Sequence, residues 1–112
     1  MPTRPDTGTL YIFGVNRLPT ICKIGWFYAA GQTVEKRCFE CSRAYGLPFY
    51  PVAEFHHRYA ERVEFFIHQR LQRLNQSIQG CSEIFLISPE RAAALVPSLI
   101  EEHDRQRELV FA

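Results

Sequence analysis

Five side chains in this sequence pair a chemically competent end with a neighbourhood written for burial: Tyr11, Lys23, Arg37, Glu64 and His68. Tyr11 is a phenol among the aliphatics of TLYIFGV (9–15), and Lys23 interrupts TICKIGWF (20–27), where Ile21, Ile24, Trp26 and Phe27 call for cover. Gly25, beside Lys23, is a residue that weakens a strand. Arg37 stands near the start of an amphipathic segment. Glu64 and His68 are four apart and so stack on one flank of a helical stripe. Phenol, ammonium, guanidinium and carboxylate on one surface are what phosphodiester hydrolysis requires. The carboxylate holds a divalent metal, the metal and guanidinium neutralise charge growing on phosphorus, and the phenol or ammonium relays a proton or orients water. Each group alone also has a plainer account: a half-buried core tyrosine, a snorkelling strand lysine, a solvated arginine, an i,i+4 surface pair. Only their convergence separates the two accounts.

The elements that must position them follow from patterning. Thr9–Val15 and Thr20–Phe27 are β-prone runs joined by the turn-like NRLP, hence a hairpin. Thr33 has the chemistry of an N-cap with Glu35 in the first turn. Val34, Cys38, Cys41 and Tyr45 mark one face of a helix, and Gly46 is its stop. A third extended run covers Pro48–Tyr59, its prolines placing its start at a sheet edge or outside the ladder. Alternation there sends His56 and His57 to opposite faces, so the two do not easily share a metal. Ala60–Gln76 is the clearest helix, with Val63, Phe66, Ile67, Leu71 and Leu74 as its buried stripe. SEIFLIS (82–88) is a short extended piece in which Glu83 reads as structural, bonding backbone near the sheet. Ser88-Pro89-Glu90 opens a last helix to about Arg107 that Pro97 should kink or divide. The order β-β-α-β-α-(β)-α with an antiparallel hairpin first is α+β in class. Residues 1–8 read as a loose arm, and residues 9–112 as one domain.

With 112 residues, 46% hydrophobic and 13% aromatic, the chain has one real core and is not disordered. No apolar run approaches the length that spans a bilayer, and MPTRPDTG has no signal-peptide character, which favours the cytoplasm. A net charge of +1 argues against a general polyanion sponge. Eleven of the thirteen basic residues are arginine, however, the side chain suited to bidentate phosphate contact, so a local basic groove stays open. Cys38 and Cys41 form a CxxC that is explained as two small apolar residues on a helix stripe. The rival is a zinc site that would also recruit Cys81 and a histidine, but no second ligand pair follows at zinc-finger spacing.

Taken together, GTLYIF (8–13), KIG (23–25), Arg37, ERVEFFIH (61–68) and SEIF (82–85) resemble, in order and spacing, the GIY-YIG nuclease superfamily. The similar branch is the phage-associated one that carries KIG as its second motif. The resemblance covers roughly residues 8–88. It implies a small three-stranded antiparallel sheet flanked by helices, and hydrolysis of one DNA strand with a single Mg²⁺ or Mn²⁺. Carried over by position, Tyr11 would be general base or water orienter, Arg37 would bind the scissile phosphate, and Glu64 would hold the metal. Gly25 would leave space near the phosphate, and His68 would be a helper or a packing residue. Lys23 replaces the second phenol and would face the anionic site from inside a strand. Trp26, where many relatives have a small polar residue, could narrow the groove or stack on a base. The implied partner is DNA, with no membrane, and a second copy or another protein would supply targeting. The alternative function is a catalytically inactive GIY-YIG-like binding module, for example a phage or mobile-element accessory protein.

Overall fold

A computed structural model of the chain describes residues 7–28, 30–73, 77–78 and 81–111. Its elements are β1 (Gly8–Val15), β2 (Leu18–Phe27), α1 (Val34–Tyr45), β3 (Phe49–His57), α2 (Ala60–Arg73), β4 (Ser77–Ile78), β5 (Cys81–Phe85) and α3 (Pro89–Phe111). The architecture is α+β. All strand pairs are antiparallel, in the order β3-β1-β2-β5-β4.

The three-stranded expectation is therefore too narrow. The short SEIFLIS piece contributes β5, which pairs with the free edge of β2 through Cys22↔Phe85 and Lys23↔Ile84 and carries the two-residue β4 on its far side. Gly8, expected in the loose arm, opens β1, and residues 1–6 lie outside the described residues. The hairpin turn is tighter than NRLP: Val15 pairs with Leu18, and Arg17 takes up a left-handed φ of 71°. β3 occupies the edge, as its prolines require.

β1 is buried along its whole length because both faces are covered. Alternation sends Leu10 and Ile12 to one side, where they pack with Ile24, Val63, Ile67, Leu71, Val96 and Leu99 under α2 and α3. Tyr11, Phe13 and Val15 go to the other side, with Val34, Cys38 and Cys41 of α1. The sheet is thus the middle of three layers. α1 begins and ends where the sequence places it: the Thr33 side chain accepts from the Lys36 amide at 3.1 Å, and Gly46 closes the helix at φ 68°. The expected end of α2 at Gln76 lies outside the described residues.

Pro97 does not divide the last helix, which runs through it as one 23-residue element. The ring lies on the exposed face, between the buried Val96 and Leu99. The carbonyl that loses its amide partner there can turn to solvent, and the buried stripe keeps the helix continuous on both sides of the ring.

Candidate active site

The first three predicted groups meet at one oxygen. Tyr11 on β1 and Lys23 on β2 share the face toward α1, because Tyr11 is in register with Gly25 and Phe13 with Lys23. Lys23 Nζ donates to the Tyr11 hydroxyl at 3.1 Å, and Arg37 Nε, from the first turn of α1, donates to the same oxygen at 3.4 Å. Gly25 makes this possible: a Cβ there would land on the Tyr11 hydroxyl, so the space expected near a phosphate is taken by the phenol itself. Tyr11 and Lys23 are each only 1% exposed, whereas the Arg37 side chain is 38% exposed and 3.6 Å from Glu40.

Burial raises the Tyr11 pKa, opposed by Lys23 and the hydrogen bond from Arg37, and the net shift is upward. The phenol thus keeps its proton at neutral pH. Burial lowers that of Lys23, but Tyr11 and Glu83 outweigh it and the ammonium form is held. In this state Tyr11 is a buried, protonated hydroxyl that accepts from Lys23 and Arg37, rather than a ready base.

Glu83 corrects the expectation that it bonds backbone. It forms an ion pair with the buried Lys23 ammonium. The cause lies in the β2–β5 ladder, whose last rung is Lys23↔Ile84. Continuing that register would set Glu83 opposite Ile24. Instead, the Ile24 carbonyl receives His68 Nε2 from α2 at 3.0 Å. The ladder's rungs stop at a notch here, where the charges of Lys23 and Glu83 act on Glu64 and His68.

Glu64 and His68 stand at this notch, and they are not a surface pair. Each side chain is 12% exposed, and Glu64 Oε2 is 3.3 Å from His68 Nε2. A carbonyl acceptor requires the proton on Nε2, so His68 is the Nε2–H tautomer. Burial lowers its pKa, and its ring stands edge-on to Phe85 at 4.9 Å. His68 is committed to holding β2. Burial raises the Glu64 carboxyl to about 7, the neighbouring Glu83 charge adds to this, and Lys23 opposes it. Glu64 also lines a groove of about 500 Å³ with Trp26, Glu61, Arg62 and Phe65. Trp26 therefore lines the same groove as the Glu64 carboxylate, in the place where the resemblance puts a small polar residue.

A divalent hard cation needs oxygen donors. Glu64, burdened by burial and by a second carboxylate, fits one, because a bound cation would relieve that repulsion. A second cluster, His57, His103 and Asp104, brings its ligand atoms within 4.8 Å of one another but fits a metal poorly. The Tyr59 amide donates to His57 Nδ1 at 2.9 Å, which fixes the proton on Nε2, the atom a metal would need. That proton goes to Asp104 at 2.9 Å. His56 points away, as alternation requires, to Thr9 at 3.3 Å.

Cys38 and Cys41 are buried free thiols on the α1 stripe, and Cys41 Sγ lies 4.0 Å from the Tyr11 hydroxyl. Burial pushes the buried Cys22 thiol up to about 12 and raises that of Cys38. The Cys81 side chain lies outside the described residues, and so does the zinc site that would use it.

Sequence reasoning missed two members of the site. Glu83 pairs with a strand 60 residues away, which only tertiary register reveals. Tyr45, read as helix stripe, holds its ring 5.5 Å from the Lys23 ammonium and helps to cover it. Comparison with protein-family models, with curated proteins and with solved structures finds no match for this chain.

Proposed function

We propose that this chain is a metal-dependent DNA endonuclease of GIY-YIG type, acting in the cytoplasm with Mg²⁺ or Mn²⁺. One observation carries the reading: Arg37, Tyr11, Lys23 and Glu83 form an unbroken chain of polar contacts, and the Glu83 charge at its end acts on the Glu64 carboxyl. The partly exposed Arg37 guanidinium takes a phosphate oxygen and balances charge developing on phosphorus. Glu64 would hold the metal, with Glu83 next to it, and the metal would supply Lewis acidity. The Tyr11 hydroxyl orients water, while Lys23 and Gly25 fix the phenol. His68 acts through β2 as a positioning residue, and Trp26 stacks on a base. No helix among the described residues is long and apolar enough to cross a membrane. A second copy or a protein partner would supply targeting.

Nicking of supercoiled plasmid with Mg²⁺ or Mn²⁺ tests this reading. Arg37→Ala and Glu64→Gln should each lower the rate by about 100-fold or more while the protein stays folded. A specific observation favours a second reading, the inactive binding module: Tyr11 and Lys23 are each 1% exposed, and Glu83 already neutralises Lys23. That module would show no metal-dependent cutting, and both variants would bind their partner as wild type does.

A further inference from the structure

A basic and aromatic cluster lies beyond the site, where the end of β3, the start of α2 and the last third of α3 meet. Tyr59, in the turn after β3, is surrounded by three guanidinium groups. Arg107 Cζ is 3.9 Å from the ring centroid, and Arg58 and Arg62 are each 5.8 Å from it. Arg107 also donates to the Tyr59 hydroxyl at 2.8 Å. Tyr28, edge-on to Trp26 at 5.1 Å, donates to the Arg58 carbonyl at 2.9 Å and ties the turn to β2.

Two cavities flank this cluster. One, of about 710 Å³, is lined by His57, Arg58, Tyr59, Asp104, Arg107 and Glu108 among others. Asp104 in it already accepts from His57 at 2.9 Å and from His103 at 3.0 Å. The other is the groove of about 500 Å³ that holds Glu64 and Trp26. Arg62 belongs to both surroundings: it faces the Tyr59 ring and lines the Glu64 groove. Trp26, Phe65, Arg62, Tyr59, Arg58 and Arg107 thus make a continuous strip that starts beside Glu64. Arginines for phosphates, interleaved with aromatic faces for bases, are the composition that seats a single nucleic-acid strand. An acidic peptide would use the arginines and leave the rings without purpose.

We infer that this strip binds the single-stranded DNA flanking the cut, phosphates on Arg62, Arg58 and Arg107 and a base on the exposed Phe65 ring, with Tyr59 holding the three guanidinium groups in place. The inference rests on the nuclease reading for the direction of the strand, and the two fail separately. Binding of a fluorescein-labelled single-stranded oligonucleotide, followed by anisotropy without divalent metal across a salt series, tests it. The triple variant Arg58→Gln, Arg62→Gln, Arg107→Gln should bind about tenfold or more weakly, and its log–log salt slope should shrink by about 2. Phe65→Leu should weaken binding about fivefold with the slope unchanged. Arg70→Gln with Arg105→Gln, which removes charge away from the strip, should stay within about twofold of wild type. Thermal unfolding confirms that each variant is folded. Wild-type affinity and slope in the folded triple variant overturn the strip, even where plasmid is cut. An equal loss in the Arg70/Arg105 control also overturns it, in favour of bulk charge. Loss of binding in the triple variant with no plasmid cleavage by wild type upholds the strip and sinks only the nuclease.

Discussion

Lys23 and Glu83 share one ion pair unequally. The lysine is 1% exposed and the glutamate 38%. Glu83→Gln leaves a buried ammonium without its counter-charge, whereas Lys23→Met leaves a carboxylate that water can reach. Urea unfolding at neutral pH should show Glu83→Gln losing about 2–3 kcal/mol and Lys23→Met under about 1, the first figure reduced because Glu83 is partly solvated. The opposite ranking would place the buried charge on the wrong partner. Glu64 gives a pH signature. Its pKa in the fold is about 7 against an ordinary 4.5, so ionisation opposes folding. Its contribution to stability is full below 4.5 and is lost as pH rises to about 7. The depressed His68 works in the other direction. The difference between wild type and Glu64→Gln isolates the carboxyl, and it should decline across this window and then flatten. On the proposed nuclease reading, metal binding at Glu64 needs the ionised form, so Mn²⁺ affinity and cleavage should climb with pH to about 7 and level off above it. A flat Mn²⁺ profile between pH 5 and 8 would remove Glu64 from the metal.

At the scale of elements, Pro97 sits on the solvent face of α3, where it breaks a helical bond without disturbing the buried stripe. Pro97→Ala restores that bond and should stabilise the protein by about 1–2 kcal/mol, the helix gain being partly offset by a freer unfolded chain. Thermal melts read this directly, and an unchanged or lower midpoint would mean that the proline shapes packing. The same helix shows what was legible in the sequence. The cap at Thr33, the stripe through Cys38 and Cys41 and the stop at Gly46 are local signals, and α1 forms where they lie. So are the strand runs of the hairpin. The proline rule for α3 gave way because tertiary contact on both sides of Pro97 outweighs one lost bond. β5 was legible as extended chain but not as a sheet member, because two rungs against a distant strand leave no periodic trace. The convergence of Tyr11, Lys23 and Arg37 was written in residue types, while the notch that exposes Glu83 was written only in register.

The whole molecule is a sheet between unequal layers. α2 and α3 cover one face with an extended aliphatic core, and α1 alone covers the other with Val34, Cys38 and Cys41. Little apolar area holds α1, so it should open as a unit of lower free energy than the rest. In native-state hydrogen exchange, amides of α1 should lose protection together, below the denaturant needed for β1 or α2. Amides of α1 exchanging only with global unfolding would count against this. The thin layer is also the one that roofs the hidden phenol and ammonium. Each brief undocking would bare them to solvent, so the tempo of helix breathing would set how often the hydroxyl is visited from outside.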